Sequence, residues 1–216
     1  FLTLFLWGVA STSAWSCDIC GCSSMGMGMS DWGFSDRSAV GLRYAFRSFE
    51  ADGLRDYFYQ SELRAAIRLN PKFQLRVQVP VLFAQRKVEG LARPAEINGL
   101  GDASILLAYQ LWSKIYSSST HQIRVAAGLN LPTGTFENRP VESLIAPNFQ
   151  AGTGSWDPMF QGQYQLNHRN WIFLAQFSWL WNQSNSYGYR FGNQYQTMLS
   201  AGYIQELGSS KLIWLA

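Results

Sequence analysis

Polar and apolar residues alternate along most of this chain. Between residues 56 and 70, the odd positions are mostly aromatic or aliphatic, and the even positions are mostly charged or amide-bearing. Successive side chains of a β-strand point to opposite faces, so this period of two predicts a long strand with one apolar and one polar face. The alternation resumes over residues 73–83, after the turn sequence Asn70-Pro71-Lys72. Both runs exceed the ~5–6 residues of a typical soluble strand and reach the ~9–11 that cross a membrane, so the pattern predicts a transmembrane β-hairpin.

The same alternation recurs in nine segments of the chain. They are residues 38–49, 56–70, 73–83, 101–112, 122–131, 156–167, 171–182 and 193–206, and a last segment that begins at Lys211. We predict an all-β fold, an antiparallel transmembrane up-and-down β-barrel over residues 38–216. Single-chain bacterial barrels have an even number of strands, so about nine strands here predict roughly 10–12 in the complete barrel. A soluble barrel or sandwich also alternates, but with shorter strands and with its aromatic residues at mid-strand.

Connection lengths predict the orientation of the barrel. Longer connections at 85–99, 132–155 and 183–192 broadly alternate with short turns near residues 71, 117, 168 and 209. Outer-membrane barrels have short periplasmic turns and long extracellular loops, which predicts a bacterial outer-membrane protein with a periplasmic N-terminus. Trp and Tyr favour membrane–water interfaces. The periplasmic set is Trp112 and Trp171, and the extracellular set is Tyr57, Tyr59, Trp156, Trp179 and Trp181.

The ends of the chain carry separate signals. Residues 1–14 are apolar and then small, which predicts the remnant of a secretory signal cleaved after Ala14. Cleavage before Cys17, as in a lipoprotein, is the alternative. There is no initial Met, and the last strand stops soon after it starts, so we expect a chain shortened at both ends. Residues 15–37 then form a periplasmic segment rich in Cys and Met.

The composition of the chain limits the kinds of binding partner that we expect. Charged residues make up 14% of the chain, aromatic residues 15%, and the net charge is +3. Mean hydropathy is -0.09, as expected when polar inner residues cancel lipid-facing ones. The lipid bilayer of the outer membrane is therefore the expected partner. The small net charge and the lack of a basic run argue against nucleic acid.

The segment Cys17-Asp18-Ile19-Cys20-Gly21-Cys22 and the Met residues after it form the one concentrated chemical signal. The candidate metal ligands are Cys17, Cys20, Cys22, Met25, Met27 and Met29. Thiolates and thioethers are soft ligands, so they predict Cu(I) or another soft metal, delivered by a periplasmic metal carrier. A closed zinc site needs four N or S ligands, and no His lies nearby. A disulfide, a lipidated Cys17 and a flexible Met-Gly linker remain alternatives.

Charged residues on the predicted inner face are the second candidate site. The lumen-facing residues are Arg43, Arg47, Glu62, Arg64, Arg68, Arg76 and Arg124. They predict either a packed charge network that fills a narrow barrel or a positively biased lumen that favours anions. The two histidines, His121 and His168, fall in predicted turns, and no phosphate loop or metal-hydrolase spacing occurs. The sequence therefore predicts no enzyme.

Three short motifs give a family resemblance. They are Gly99-Leu100-Gly101-Asp102, Leu131-Pro132-Thr133-Gly134 and Gly152-Thr153-Gly154-Ser155-Trp156-Asp157. In order and spacing they resemble the transporter-like outer-membrane barrels related to the MetA pathway of phenol degradation. The Cys-rich start, followed by residues 40–49, resembles a Bacteroidetes-type subgroup of them. The resemblance implies an outer-membrane barrel, often named a transporter, with no established substrate and no catalytic residues.

Three functional hypotheses follow. The leading one is a transporter or channel linked to copper handling through the Cys/Met segment. The second is a non-transporting barrel that serves as a scaffold for a periplasmic or surface protein. The third is a channel for small hydrophobic compounds, which the resemblance suggests and the charged inner face opposes.

Overall fold

The computed structural model describes residues 38–51, 54–89, 94–137, 149–207 and 210–215. Within these ranges the chain forms ten β-strands. They are β1 (Ala39–Ala51), β2 (Leu54–Arg68), β3 (Phe73–Val88), β4 (Ala95–Leu100), β5 (Ala103–Ile115), β6 (Ser119–Leu131), β7 (Asp157–His168), β8 (Trp171–Leu180), β9 (Gln194–Leu207) and β10 (Ser210–Leu215). No described residue belongs to a helix with the length and apolarity needed to cross a bilayer.

All the strands belong to one antiparallel sheet in which neighbours in the chain are neighbours in space. The order is β1-β2-β3-β5-β6-β7-β8-β9-β10, and β4 pairs with the C-terminal half of β3. Strands β4 and β5 follow one another along the same side of β3, so the strands occupy nine positions. The all-β, antiparallel, up-and-down architecture predicted from the alternation is confirmed.

The β2–β3 hairpin shows how the sequence produces these elements. Its ladder runs from Leu54↔Val88 to Arg68↔Gln74. At the turn, the Oδ1 of Asn70 accepts hydrogen bonds from the backbone N–H groups of Lys72 and Phe73, both at 2.9 Å. Asn side chains commonly stabilise turns in this way, so the turn chemistry fixes the register of the two longest strands.

The sheet curls into a half-barrel, and side-chain contacts span its inner face. The guanidinium Nη1 of Arg76 on β3 donates to the Oε1 of Gln161 on β7 at 2.7 Å. Strands β5 and β6 lie between these two strands in the sheet, so the bond crosses the concave face rather than following a ladder. Only a strongly curved sheet brings the two side chains within reach.

Burial in this sheet is inverted relative to a soluble protein. Glu62, Arg64 and Arg76 on the inner face expose 3% or less of their surface. On the outer face Leu63 is 55% exposed and Phe177 is 49% exposed. Large continuous apolar surfaces are rare on soluble monomers, whereas an apolar outside around a polar inside is the pattern of a membrane barrel.

Aromatic residues group near both ends of the outer face. At one end Trp179 stacks on Trp181 and on Tyr195, with ring centroids 5.9 and 6.0 Å apart. At the other end Trp171 packs edge-on against Tyr203 at 5.1 Å. Such bands are typical of membrane–water interfaces.

One predicted connection is wrong. Residues 85–99 were expected to be a long loop, but β3 continues to Val88 and β4 pairs with it. The pattern fails here because both faces of this extension are largely polar. Ladder bonds and polar pairs maintain it instead, including Gln85 Nε2 to Glu96 Oε1 at 2.8 Å.

Candidate functional site: an arginine-rich inner face

Glu62 is the centre of a buried charge group on β1 and β2. Its Oε2 accepts from the Nη2 and Nε of Arg64, at 2.5 and 3.0 Å. Its Oε1 accepts from the Nε2 of Gln60 at 2.7 Å, and the Nη1 of Arg43 lies 3.5 Å from Oε2. Gln60, Glu62 and Arg64 point the same way because they are two residues apart on one strand. This arrangement supports the prediction of a packed charge network, since Arg43 and Arg64 both contact the carboxylate of Glu62.

Arg76 differs, because its guanidinium donates hydrogen bonds to neutral amides of the described residues. Besides Gln161, its Nη2 reaches the Oε1 of Gln163 at 3.4 Å and its Nε donates to the Oε1 of Gln74 at 3.0 Å. The side chain is 1% exposed. A buried charge usually requires an opposite charge or a full set of hydrogen bonds. The amides satisfy the geometry of the guanidinium but leave its positive charge in place.

A cationic pocket opens at the end of the inner face that carries the β2–β3 turn. We call it the mouth pocket. It is lined by Arg68, Asn70, Lys72, Gln74, Gln110 and Arg124, together with Pro71, Phe73 and Ala108. Arg68 ends β2, Lys72 lies in the turn and Arg124 lies on β6, so three elements contribute one cation each. None of these described lining residues carries a carboxylate. One lining residue, Gln74, also accepts a hydrogen bond from Arg76.

The predicted lumen-facing residues occupy different depths in the structure. Glu62, Arg64, Arg76 and Arg124 are buried on the inner face. Arg43 and Arg47 are half-buried on β1, and Arg68 is exposed at the rim of the mouth pocket. The structure joins Arg43, Glu62 and Arg64 in one group. It places Arg68 and Arg124 in another.

The predicted metal ligands lie outside the described residues. Cys17, Cys20, Cys22, Met25, Met27 and Met29 all precede residue 38. The copper site therefore stays a prediction. Across the ranges that the structure describes, no three His, Cys, Asp or Glu residues are grouped so that they could hold a metal ion.

Sequence reasoning missed a buried junction at the other end of the inner face. We call it the motif junction, and it consists of Asp102, Gly134, Thr153 and Asp157. The carboxylate of Asp102 accepts from the Thr153 N–H at 2.7 Å, the Thr153 hydroxyl at 2.6 Å and the Gly134 N–H at 2.9 Å. The Thr153 hydroxyl also lies 3.2 Å from the Oδ2 of Asp157. The junction thereby ties the start of β5, the loop after β6 and the start of β7 together.

The residues of this junction stand out in the sequence, but the sequence does not show that they contact one another. Each of its residues belongs to one of the three motifs that carry the family resemblance. Gly134 and Gly152 also meet there, since a Cβ on Gly134 would lie 2.7 Å from the Gly152 Cα. The motifs therefore encode a contact that brings the two ends of the β6–β7 connection together beside Asp102, at the start of β5.

The inverted burial, the curled antiparallel sheet and the charged inner face define the class, which is a β-barrel-type protein with a polar inner face. The chain belongs to the family described as "Putative MetA-pathway of phenol degradation", whose model matches residues 48–209. The match includes the whole motif junction. The Bacteroidetes-type subgroup with its Cys-rich start remains a prediction, because the match begins after that segment. No curated protein matches the chain.

Proposed function

We propose that this protein is an outer-membrane β-barrel that passes small anionic solutes along its arginine-rich inner face. The apolar outer face, the aromatic bands and the family support the membrane location. The cations on the inner face support the anionic substrate. Side chains that cross the concave face support a narrow, selective passage rather than a wide pore.

The observation that carries the proposal is the set of partners of Arg76. A buried guanidinium held by three glutamine amides carries a positive charge that none of these partners offsets, and this charge favours anions near the inner face. Rings of charged side chains are a common basis of selectivity in channels. The mouth pocket adds further cations on the same route. A channel for small hydrophobic compounds is disfavoured, because the buried inner face is mostly charged or amide-bearing.

The test is the reversal potential of the purified barrel in a planar bilayer under a KCl gradient. We expect chloride to be preferred over potassium. The variant Arg76→Gln should lower that preference about fivefold, since losing ~1 kcal/mol of charge interaction corresponds to that factor. The control is Arg55→Gln, which removes an exposed charge at the far end of β2 and should change nothing.

Two results would reject the proposal. A wild-type barrel that prefers potassium would contradict the anionic substrate. A wild-type barrel that inserts and does not conduct would favour the scaffold hypothesis instead.

Copper handling is a second candidate function, supported by the spacing of Cys17, Cys20 and Cys22 and the alternating Met residues after them. A protein chain carrying these residues should bind Cu(I) tightly in a competitive titration under anaerobic, reducing conditions. Replacing all three Cys by Ser should abolish that binding, because thiolates are the preferred soft ligands. Equal, weak binding by both proteins would leave the segment as a disulfide or an anchor.

A further inference from the structure

We propose that residues 149–151, in the second half of the β6–β7 connection, form the narrowest point of the passage and limit the size of the solutes that cross it. The inference rests on the proposed function and names Phe149 as the residue that sets this limit. Phe149, Gln150 and Ala151 expose 1%, 4% and 2% of their surface. Connections between strands ordinarily lie in contact with water, so burial this deep indicates that the segment enters the concave side of the sheet.

The ring of Phe149 packs against the inner faces of β2 and β3. It meets Phe58 edge-on with centroids 5.5 Å apart, and the guanidinium carbon of Arg86 lies 4.6 Å from its centroid. Phe58 alternates in step with Glu62 on β2, and Arg86 does so with Arg76 on β3, so both side chains belong to the inner face. Strand β5 lies between β3 and β6 in the sheet, so the connection that leaves β6 folds inward to reach them.

Phe149 belongs to a buried apolar cluster on the inner face, whose other members are Phe58, Leu82, Ala84 and Ala151. Phe58 and Glu62 are four residues apart on β2, so the cluster lies roughly 13 Å along the strand from the charge group at Glu62. A solute that moves along the inner face therefore meets the ring and the charges at different depths. Size and charge can be selected at separate points of one route.

Backbone and amide contacts hold the segment in this position. The Nε2 of Gln150 donates to the Glu137 carbonyl at 2.7 Å, and the Oε1 of Gln150 accepts from the Glu137 N–H. The Gly152 N–H donates to the Thr135 carbonyl at 3.1 Å. Both sides of the connection are thus bonded to each other next to Phe149. The constriction is therefore a fixed part of the inner face.

Arg86 forms the charged wall beside the ring. A guanidinium over an aromatic face is attracted by the electrons of the ring. Asp56 on β2 accepts from the Nε and Nη2 of Arg86 at 2.8 and 2.6 Å, which fixes the guanidinium over Phe149. Because these two charges compensate each other, we expect the constriction to select by size, whereas Arg76 selects by charge.

The experiment compares the permeability of the purified full chain to chloride and to the larger anion gluconate in a planar bilayer. Phe149→Ala should raise the gluconate-to-chloride permeability ratio about threefold and the conductance in KCl about twofold, because it removes a ring from the narrowest point. The preference for chloride over potassium should remain, since the variant leaves Arg76 and its amide partners unchanged.

Phe177→Ala is the matched control. It removes the same ring from the outer face, where Phe177 is 49% exposed. Its conductance and permeability ratio should equal those of the wild type. Phe149→Leu provides a second test if Phe149→Ala fails to fold, because leucine keeps an apolar side chain in the cluster. It should raise the permeability ratio in the same direction by a smaller factor, since leucine is smaller than phenylalanine.

An anion-selective barrel whose conductance and permeability ratio do not change in the folded Phe149 variants would overturn the inference and retain the proposed function. A higher conductance in Phe149→Ala than in Phe177→Ala, with potassium preferred over chloride in both, would retain the constriction and reject the anionic substrate. A barrel that conducts neither as the wild type nor as Phe149→Ala would reject both proposals.

Discussion

At the scale of single residues, the inner face separates two kinds of buried arginine. Arg64 has an ionic partner in Glu62 at 2.5 Å, whereas Arg76 has neutral glutamine partners. The first kind stabilises the barrel, because the opposite charges compensate each other. The second kind carries a positive charge whose hydrogen-bond partners, within the part of the chain that the structure describes, are neutral amides. Substitutions that affect the two kinds of arginine are therefore expected to have different effects.

Glu62→Gln should destabilise the protein strongly. It removes the carboxylate shared by Arg43 and Arg64, and a buried charge left without its partner costs about 3 kcal/mol or more. Urea unfolding of the detergent-folded protein, followed by tryptophan fluorescence, measures the change in the free energy of unfolding. The control is Glu50→Gln, which breaks an exposed pair with Arg55 and should leave the unfolding midpoint unchanged. Equal midpoints for the two variants would contradict the structural role of Glu62.

At the scale of elements, the motif junction connects loops that the strand ladders leave separate. The two ends of the β6–β7 connection meet at Gly134 and Gly152, whose backbones approach too closely for a side chain. Asp102, just before β5, then accepts hydrogen bonds from both ends of that connection. Glycine is needed here for the close approach of two backbones rather than for a turn. The three motifs thus supply the residues of one tight contact at this end of the sheet.

Gly134→Ala tests that contact. Its Cβ would lie 2.7 Å from the Gly152 Cα and 3.0 Å from a carboxylate oxygen of Asp102, so backbone must move. We expect a loss of stability of about 1–3 kcal/mol, as is usual for overpacking in a tight site. The matched variant is Gly41→Ala, where an added Cβ meets nothing within 4 Å. Unfolding curves that coincide for the two variants would show that the loops do not depend on this approach.

At the scale of the whole molecule, inverted burial supports both the proposed membrane location and the proposed activity. An apolar outer face is costly in water and favourable in lipid, so the sheet is suited to a bilayer. The same inversion concentrates arginines and glutamines on the concave face, where they contact one another across the sheet. The proposed membrane location and the cationic inner face therefore both follow from one alternating pattern. The bilayer measurement on Arg76→Gln tests them together, because selectivity can be recorded only after insertion.

The sequence was sufficient to predict the strands, their antiparallel order and the face on which each residue lies, because a strand alternates strictly with a period of two. It failed at residues 85–99, since an extended ladder with polar residues on both faces leaves no alternation to detect. The three family motifs could be recognised in the sequence, but the sequence did not show that Asp102, Gly134 and Thr153 are in contact. Only the tertiary structure decided which inner residues touch, such as Arg76 with Gln161. Such contacts depend on the curl and register of the whole sheet, and neither quantity is encoded in any local stretch of residues.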